Sequence, residues 1–254
     1  MPLKFLLALL HRNAAADLAA FRLTAVRMLV QPAVYLFVFG YVVGGMLPAQ
    51  SGGYAGIMAP GIVAISVVTG PFVIIGGGVI SGYYFRTMEE WLLAPVSLRT
   101  VLTAKVLGGT CYGLAGGAVV VVLVWAILGI APQKIGYMVL TASAGALLFS
   151  LFTIVVLLIP ETPDKGQEVF SFLMMPMTFF GCTFYSYDML GAPFNYLALL
   201  LPTTYIAEGL RAAYHPDSPH MEAGMVLAGL SLAAAVLIPL ADWAFRRRFR
   251  DFTW

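Results

Sequence analysis

The stretch MLVQPAVYLFVFGYVVGGMLPAQSGGYAGIMAPGIVAISVVTGPFVIIGGGVISGYYF, residues 28–85, contains no Asp, Glu, Lys, Arg or His. Soluble domains carry about 25% charged residues, so a run of this length without a charge indicates a lipid environment. The whole chain agrees, because 61% of its 254 residues are hydrophobic, 10% are charged and the mean hydropathy is +0.91. We therefore interpret the chain as an integral membrane protein.

Six apolar segments approach or exceed the length of about 20 residues that a helix needs to cross the hydrocarbon core. Helix is the expected conformation, because lipid offers the backbone N–H and C=O groups no partner. The predicted spans are residues 28–47, 57–80, 106–128, 135–159, 169–187 and 223–241. The predicted fold class is an all-α integral membrane protein with six transmembrane helices in a single transmembrane domain, residues 1–254.

Residues 1–25 precede the first span and carry apolar side chains at helical spacing, with basic side chains on another face. The apolar positions are Leu3, Leu7, Leu10, Ala14, Leu18 and Phe21. This pattern is typical of an amphipathic helix lying at the membrane surface. We predict such an interfacial helix at the N-terminus.

The distribution of basic residues predicts the orientation of the chain. Cytoplasmic loops of membrane proteins carry an excess of Lys and Arg. With six spans and a cytoplasmic N-terminus, all of the 14 basic residues except Lys134 and Arg211 lie inside. We therefore predict that both termini are cytoplasmic.

The segment 189–207 is apolar and uncharged, but Gly191, Pro193 and Pro202 would interrupt it as a helix. Counting it as a seventh span would move the C-terminal arginines to the outside, against the charge rule. We therefore predict that residues 188–215 form an outer re-entrant hairpin before the last span. Such a backbone is tolerated at membrane depth when it packs against protein.

The largest predicted inner loop is RTMEEWLLAPVSLR, residues 86–99. Glu89 and Glu90 suit the first turn of a short helix, and Pro95 disfavours helix just before it. A short charged helix across the inner mouth suits the docking of a cytoplasmic partner. The alternative is an ordinary interfacial helix anchored by Trp91.

Two further features admit more than one interpretation. Gly109, Gly113 and Gly117 share one face of the third span and allow close helix approach, either within the chain or in a dimer. Glu208 and Arg211 are neighbours if their segment is helical. They form either a functional intramembrane pair or an interfacial salt bridge.

The fifth span contains Met174, Met177 and Phe180 around Pro176, which should kink the helix. Methionine and phenylalanine together make an adaptable apolar surface. That surface suits a path for hydrophobic substrates, and it equally suits core or lipid contact.

Several catalytic signatures are absent from the sequence. There is no GxxxxGK[ST] for ATP, no HExxH and no GxSxG, and Cys111 and Cys182 lack a CxxC partner. We therefore expect no catalytic site, metal or cofactor on this chain. The net charge of +2 implies nothing about nucleic acid, and we expect no nucleic-acid partner.

Three segments resemble the ABC-2 type exporter permeases, and the likeness extends over nearly the whole chain. They are MAPG at 58–61, MEEWLLAPVS at 88–97 with Lys105, and LPTTY at 201–205 with GLR at 209–211. The third segment is similar to the nodulation-factor and drug-export branch of the family. Thr203 stands where that branch often has Leu.

The resemblance implies a dimer of permeases in the inner membrane, together with two cytoplasmic ABC ATPase subunits that bind ATP and Mg on separate chains. We predict a homodimer, and a heterodimer is the alternative. It implies that the inner loop couples to the ATPase and that the outer hairpin caps the translocation path. The coupling residues would be Arg86, Met88, Glu89, Glu90, Trp91, Leu92, Pro95 and Arg99. Path residues would be Tyr35, Phe39, Phe72, Met174, Met177 and Phe180, and hairpin residues Tyr205, Glu208 and Arg211.

The predicted function is the export of an amphipathic, lipid-like or hydrophobic molecule from the cytoplasm or inner leaflet, within surrounding membrane lipid. One alternative is a permease for polysaccharides or glycolipids. Another is an ion-coupled secondary transporter, a class that usually shows charged groups at mid-membrane and inverted repeats. A membrane enzyme or an assembly protein is a further alternative. The first four predicted spans carry no carboxylate within the membrane.

Overall fold

A computed structural model describes residues 30–46, 53–85 and 97–250. The predicted interfacial helix, residues 1–25, lies outside these residues. So does most of the predicted coupling segment, of which only its last three residues, 97–99, are described. The described residues form helices joined by turns, with no β-strand among them.

Eight helices in the described residues are labelled here in chain order. They are α1 Val30–Met46, α2 Gly53–Tyr84, α3 Leu98–Leu128, α4 Ile135–Leu158, α5 Pro163–Phe180, α6 Phe194–Leu199, α7 Pro202–Tyr214 and α8 Ala223–Arg250. The middle of α1 is a π-helix, Leu36–Val43, and a 3₁₀ turn, Tyr187–Met189, lies between α5 and α6.

Four of these helices, α2, α3, α4 and α8, are long and apolar enough to cross a membrane. This confirms the all-helical membrane fold. The described part of α1 is a shorter apolar helix, and α5 begins with a polar turn, residues 163–168. The count of six spans therefore stays a prediction.

Helix α5 is shifted toward the N-terminus relative to the predicted span 169–187. It begins at Pro163 because the Thr162 side chain accepts a hydrogen bond from the Lys165 N–H, and proline suits a first helical position. It ends at Phe180, before Cys182, which has a φ of 55°. A hydropathy window misses such a start, because the first turn of the helix is polar.

The bundle is built around α2 and α4. In an apolar stretch of 18 residues in each of these two helices, 67% of the stretch is buried. The corresponding share is 28% in α3 and 11% in α8. Helices α3 and α8 therefore surround the two central helices and present apolar side chains outward. Helix α7 packs against α2, α4 and α8 at one end of the bundle.

The glycine face of α3 packs against α2 of the same chain. A Cβ at Gly113 would lie 2.7 Å from the Val67 carbonyl oxygen, and one at Gly70 would lie 2.7 Å from the Gly113 Cα. One at Gly117 would lie 2.6 Å from a Val67 methyl carbon. Of the two interpretations of these glycines, the structure therefore supports close packing within the chain.

The other end of the bundle, called the basic end here, carries charged side chains at the end of α2, the starts of α3 and α5, and the end of α8. Its basic residues are Arg99, Lys165, Arg246, Arg247 and Arg248. The contacts there are exposed or half-exposed: Arg99 to Asp242 at 3.8 Å, Lys165 to Glu161 at 2.6 Å and Arg246 to Asp242 at 3.0 Å. This asymmetry agrees with the charge pattern, while the orientation in the membrane stays a prediction.

Substituting Gly113 by alanine should destabilise the protein, because the added Cβ meets backbone at Val67 rather than a movable side chain. Overpacking of this kind costs roughly 1–3 kcal/mol. The measurement is thermal unfolding in detergent. Gly136→Ala is the matched control, since Gly136 is a helical, exposed glycine with nothing within 4 Å of its added Cβ. Equal stability of the two variants would contradict the packing.

Candidate functional site

Helix α7 is buried along nearly all its length. It approaches the neighbouring helices closely at positions that are occupied by glycine. A Cβ at Gly209 would lie 2.5 Å from a Thr141 methyl carbon of α4, and one at Gly145 would lie 2.9 Å from Ile206. The Tyr205 ring lies against Gly229 of α8, and a Cβ at Gly229 would lie 2.3 Å from the ring. The helix therefore inserts between α4 and α8.

The side chains at the start of α7 complete the ends of the two preceding helices. Thr203 Oγ1 donates to the Met177 carbonyl at 3.0 Å, and Thr204 Oγ1 donates to the Ala198 carbonyl at 2.6 Å. Each carbonyl also accepts a backbone N–H, Met177 from Gly181 and Ala198 from Leu201, so the threonine hydroxyls add a second donor at the two helix ends. The hydroxyl of Thr203 thus has a specific role, because it joins the start of α7 to the last turn of α5.

Tyr205, predicted as a hairpin residue, forms a third contact of this kind. Its hydroxyl donates to the Leu199 carbonyl at 2.7 Å. The Pro-Thr-Thr-Tyr sequence therefore links the start of α7 to the ends of α5 and α6. Residues 188–215 consist of a 3₁₀ turn, α6 and α7, and their depth in the membrane stays a prediction.

The centre of the site is an ion pair between Glu208 and Arg211 on successive turns of α7. Glu208 is 0% exposed and Arg211 is 1% exposed, and Arg211 Nη1 donates to Glu208 Oε1. In this conformation neither side chain reaches the surface of the protein. The pair is therefore buried in protein, while the choice between an intramembrane and an interfacial depth stays a prediction. A direct contact of either group with a substrate head group stays an untested prediction.

Glu208 also accepts hydrogen bonds from two backbone amides. One amide precedes α6 in the chain, and the other follows α7. Oε1 accepts from the Tyr187 N–H at 2.8 Å, and Oε2 accepts from the Met221 N–H at 2.9 Å. The first amide opens the 3₁₀ turn after α5, and the second lies just before α8. The carboxylate therefore joins the exit of α5 to the entry of α8.

Arg211 donates hydrogen bonds to two backbone carbonyls from other parts of the chain. Its Nε and Nη2 donate to the Ile57 carbonyl of α2 at 3.3 and 3.2 Å, and Nη2 also donates to the Cys182 carbonyl at 2.8 Å. The planar guanidinium can serve several acceptors at once. Removing one member of a buried pair costs about 3–5 kcal/mol, because the other charge remains buried.

The MAPG sequence at 58–61 lies directly beside this pair. A Cβ at Gly61 would lie 1.8 Å from the Thr183 carbonyl oxygen, so only glycine leaves room for the turn after α5. That turn, residues 181–187, is the segment that Arg211 and Glu208 bind. Two of the three sequence segments that resemble the family therefore meet at one place.

An aromatic cluster lies next to the same turn. Phe184 contacts Tyr35, Phe39 and Phe179, with ring centroids 5.8, 4.7 and 5.6 Å apart. Tyr35 and Phe39 are predicted path residues. Phe184 is not among the predicted residues, since one phenylalanine in a predicted apolar span carries no special signal.

The remaining predicted path residues occupy two environments. Phe72 stacks on Phe170 at 3.7 Å between centroids, and Met174 and Met177 are buried in the same apolar cluster as Tyr35 and Phe39. Phe180 is 42% exposed and stacks on Phe194 of α6 at 6.3 Å. In this conformation most of these side chains pack on one another, and an open path would require them to separate.

The coupling residues 86, 88–92 and 95 lie outside the described residues, and of that set the structure describes Arg99. Its guanidinium is exposed and lies 3.8 Å from Asp242 of α8. Since α2 ends at Tyr84 and α3 begins at Leu98, the undescribed segment starts and finishes at the basic end of the bundle.

Comparison with known proteins identifies the chain. The family model for the ABC-2 type transporter matches residues 5–215. The chain is 27% identical over 205 residues to the inner membrane transport permease YadH of Escherichia coli strain K12, which covers 79% of this chain and 80% of the relative. YadH of Shigella flexneri is similar to the same extent. With a family model matching most of its length and apolar helices long enough to cross a membrane, this protein is a membrane protein that belongs to the ABC-2 type transporter family.

Proposed function

We propose that this chain is the permease subunit of an ATP-driven exporter in the inner membrane, with both termini cytoplasmic. The observation that carries the proposal is the meeting of MAPG, residues 58–61, with the segment 201–211 at the buried Glu208–Arg211 pair. Two family-like segments that lie far apart in the chain thus build one structural unit. Such a unit serves a membrane-embedded permease better than it serves an enzyme, since all its polar atoms are turned toward protein.

ATP hydrolysis belongs to a separate subunit in this proposal. The chain carries no phosphate-binding loop, so ATP and Mg would be bound by two cytoplasmic ATPase subunits attached to a homodimer of this chain. The relative is named a transport permease, which supports the same division of roles.

The fold suggests how force from the ATPase would reach the membrane. The coupling segment joins α2 to α3, and these two helices are in backbone contact at Gly70 and Gly113. A displacement of the segment would therefore move α2 and α3 as one body rather than separately. Packed helices switch between discrete arrangements instead of deforming continuously.

The substrate in this proposal is amphipathic or lipid-like. The aromatic cluster around Phe184 and the buried methionines offer apolar, polarisable surface. Removing an alkyl chain from water is worth about 0.8 kcal/mol per CH₂, although lipid offers the same gain, so selectivity must come from shape and from the head group. A sugar chain would need polar groups along the path.

Orientation is tested by cysteine labelling in a Cys111→Ser background. Ser218 lies in an exposed turn before α8, and Phe85 is exposed at the end of α2. An impermeant thiol reagent should label Ser218→Cys in intact cells and Phe85→Cys only after permeabilisation, because basic residues gather near Phe85. The reverse pattern would contradict the orientation.

Coupling is tested by reversing two charges in the segment between α2 and α3. Glu89→Lys with Glu90→Lys should detach the ATPase or abolish its stimulation by substrate, while the permease remains folded. Co-purification and ATP hydrolysis are the measurements. Glu222→Lys, an exposed acidic residue near the opposite end, is the matched control. Unchanged assembly and stimulation in the double variant would argue against this segment as the docking element.

The substrate class is tested by ATP hydrolysis in vesicles that contain permease and ATPase. Lipids and hydrophobic drugs should stimulate hydrolysis, and oligosaccharides should not. Phe39→Ala and Phe180→Ala should reduce stimulation several-fold, whereas Ile238→Ala on the exposed face of α8 should leave it unchanged. Stimulation by oligosaccharides alone would favour the polysaccharide or glycolipid alternative.

A further inference from the structure

The two ends of the helix bundle are held together by contacts of different strength. At the end that contains α7, the Glu208–Arg211 pair is almost wholly excluded from solvent. At the basic end the ion pairs are exposed: the Arg99 and Asp242 side chains are 73% and 32% exposed. Ion pairs in solvent contribute little and are screened by salt, whereas a buried, fully bonded pair is costly to break.

The buried pair joins four separate segments of the chain. Arg211 binds the carbonyls of Ile57 in α2 and Cys182 after α5, and Glu208 binds the amides of Tyr187 and Met221. With α7 itself, these contacts tie together the same ends of α2, α5 and α8. In each of these hydrogen bonds the partner is a backbone amide or carbonyl. Rotation of a partner side chain therefore cannot break the bond.

The corresponding contacts at the basic end are made by side chains at the surface. Tyr84 at the end of α2 donates to Asp164 of α5, and Arg248 of α8 donates to the Glu161 carbonyl at 2.8 Å. Both contacts are exposed.

The Arg248 guanidinium also lies 5.6 Å from the centre of the Tyr83 ring of α2, and beneath these contacts Val79, Phe245 and Phe249 pack in a buried apolar cluster. Apolar side chains that pack without hydrogen bonds can slide past one another, whereas the backbone hydrogen bonds of Glu208 and Arg211 hold the other end in one arrangement.

We propose that the Glu208–Arg211 pair is the fixed pivot of the transport cycle. The ends of α2, α5 and α8 that it joins remain one rigid unit with α7 in every state, and the same helices change their spacing at the basic end. Glu208 and Arg211 are positioning residues in this proposal, and they act through backbone rather than on substrate. The inference rests on the proposed function, because an ATPase at the basic end is what would drive the movement.

The first test measures distances between spin labels in the assembled permease–ATPase complex, in a Cys111→Ser background. One pair of exposed sites, Asp188→Cys and Glu222→Cys, reports on the α7 end, and Phe85→Cys with Arg247→Cys reports on the basic end. A non-hydrolysable ATP analogue should shift the second distance by several ångströms and leave the first unchanged.

One result would contradict the pivot alone, and another would contradict the nucleotide-driven movement as well. A nucleotide-dependent shift at the α7 end as large as that at the basic end would overturn the pivot and leave the proposed function intact. A complex in which neither distance responds to nucleotide would overturn the nucleotide-driven movement, and the pivot with it.

The second test uses two conservative variants of the pair. Gln in place of Glu208 keeps one acceptor oxygen and loses the other, and Lys in place of Arg211 keeps the charge but loses the planar fork. In the permease alone, amide hydrogen exchange at Tyr187 and Met221 should become at least several-fold faster in Glu208→Gln. Glu161→Gln is the matched control, because Glu161 forms an exposed pair with Lys165.

A readout in the complex separates a pivot from a merely structural role. In Glu208→Gln and Arg211→Lys, ATP hydrolysis should continue while the amount of substrate moved per ATP falls several-fold. A purely structural role would lower the yield of folded complex, and transport and hydrolysis would fall together at an unchanged ratio. That constant ratio would overturn the proposal, as would unaltered amide exchange in Glu208→Gln.

Discussion

A charge enclosed in an apolar helix bundle must be paired and hydrogen-bonded, and the α7 end of this protein is organised by that constraint. Arg211 meets the requirement with Glu208 and with the carbonyls of Ile57 and Cys182. Because these acceptors belong to α2 and to the turn after α5, satisfying one side chain determines where two other segments lie. Glu208 extends the same constraint to the entry of α8 through the Met221 amide.

Close backbone approach is the second requirement on which the arrangement depends. The turn after α5 reaches the buried pair only because residue 61 is glycine, with the Thr183 carbonyl lying where a Cβ would stand. The contact of α2 with α3 at Gly70 and Gly113 follows the same rule. In a membrane, where lipid removes the hydrophobic force between helices, packing at small residues supplies much of the attraction.

The two requirements divide the molecule into parts with different mechanical properties. The α7 end combines buried charge, backbone hydrogen bonds and glycine contacts. The basic end combines exposed ion pairs, such as that of Arg99 with Asp242, with a buried apolar cluster that includes Val79, Phe245 and Phe249. The aromatic cluster around Phe184 lies beside the turn at the α7 end, and its side chains adapt more readily than hydrogen-bonded backbone. This difference between the two ends suits a family whose members move molecules across a membrane.

The sequence by itself determined the membrane environment, the helical class, the charge asymmetry and the family, because hydropathy and charge are properties of local segments. It also placed Glu208 and Arg211 side by side, since helical spacing is local, but it left their burial open. Only the tertiary structure decided that they are buried, that the α3 glycines pack within the chain, and that Thr203 binds the end of α5. Those facts depend on backbone atoms of distant segments, Ile57, Cys182 and Met177 around α7 and Val67 beside the glycines, and backbone atoms carry no residue-specific signal.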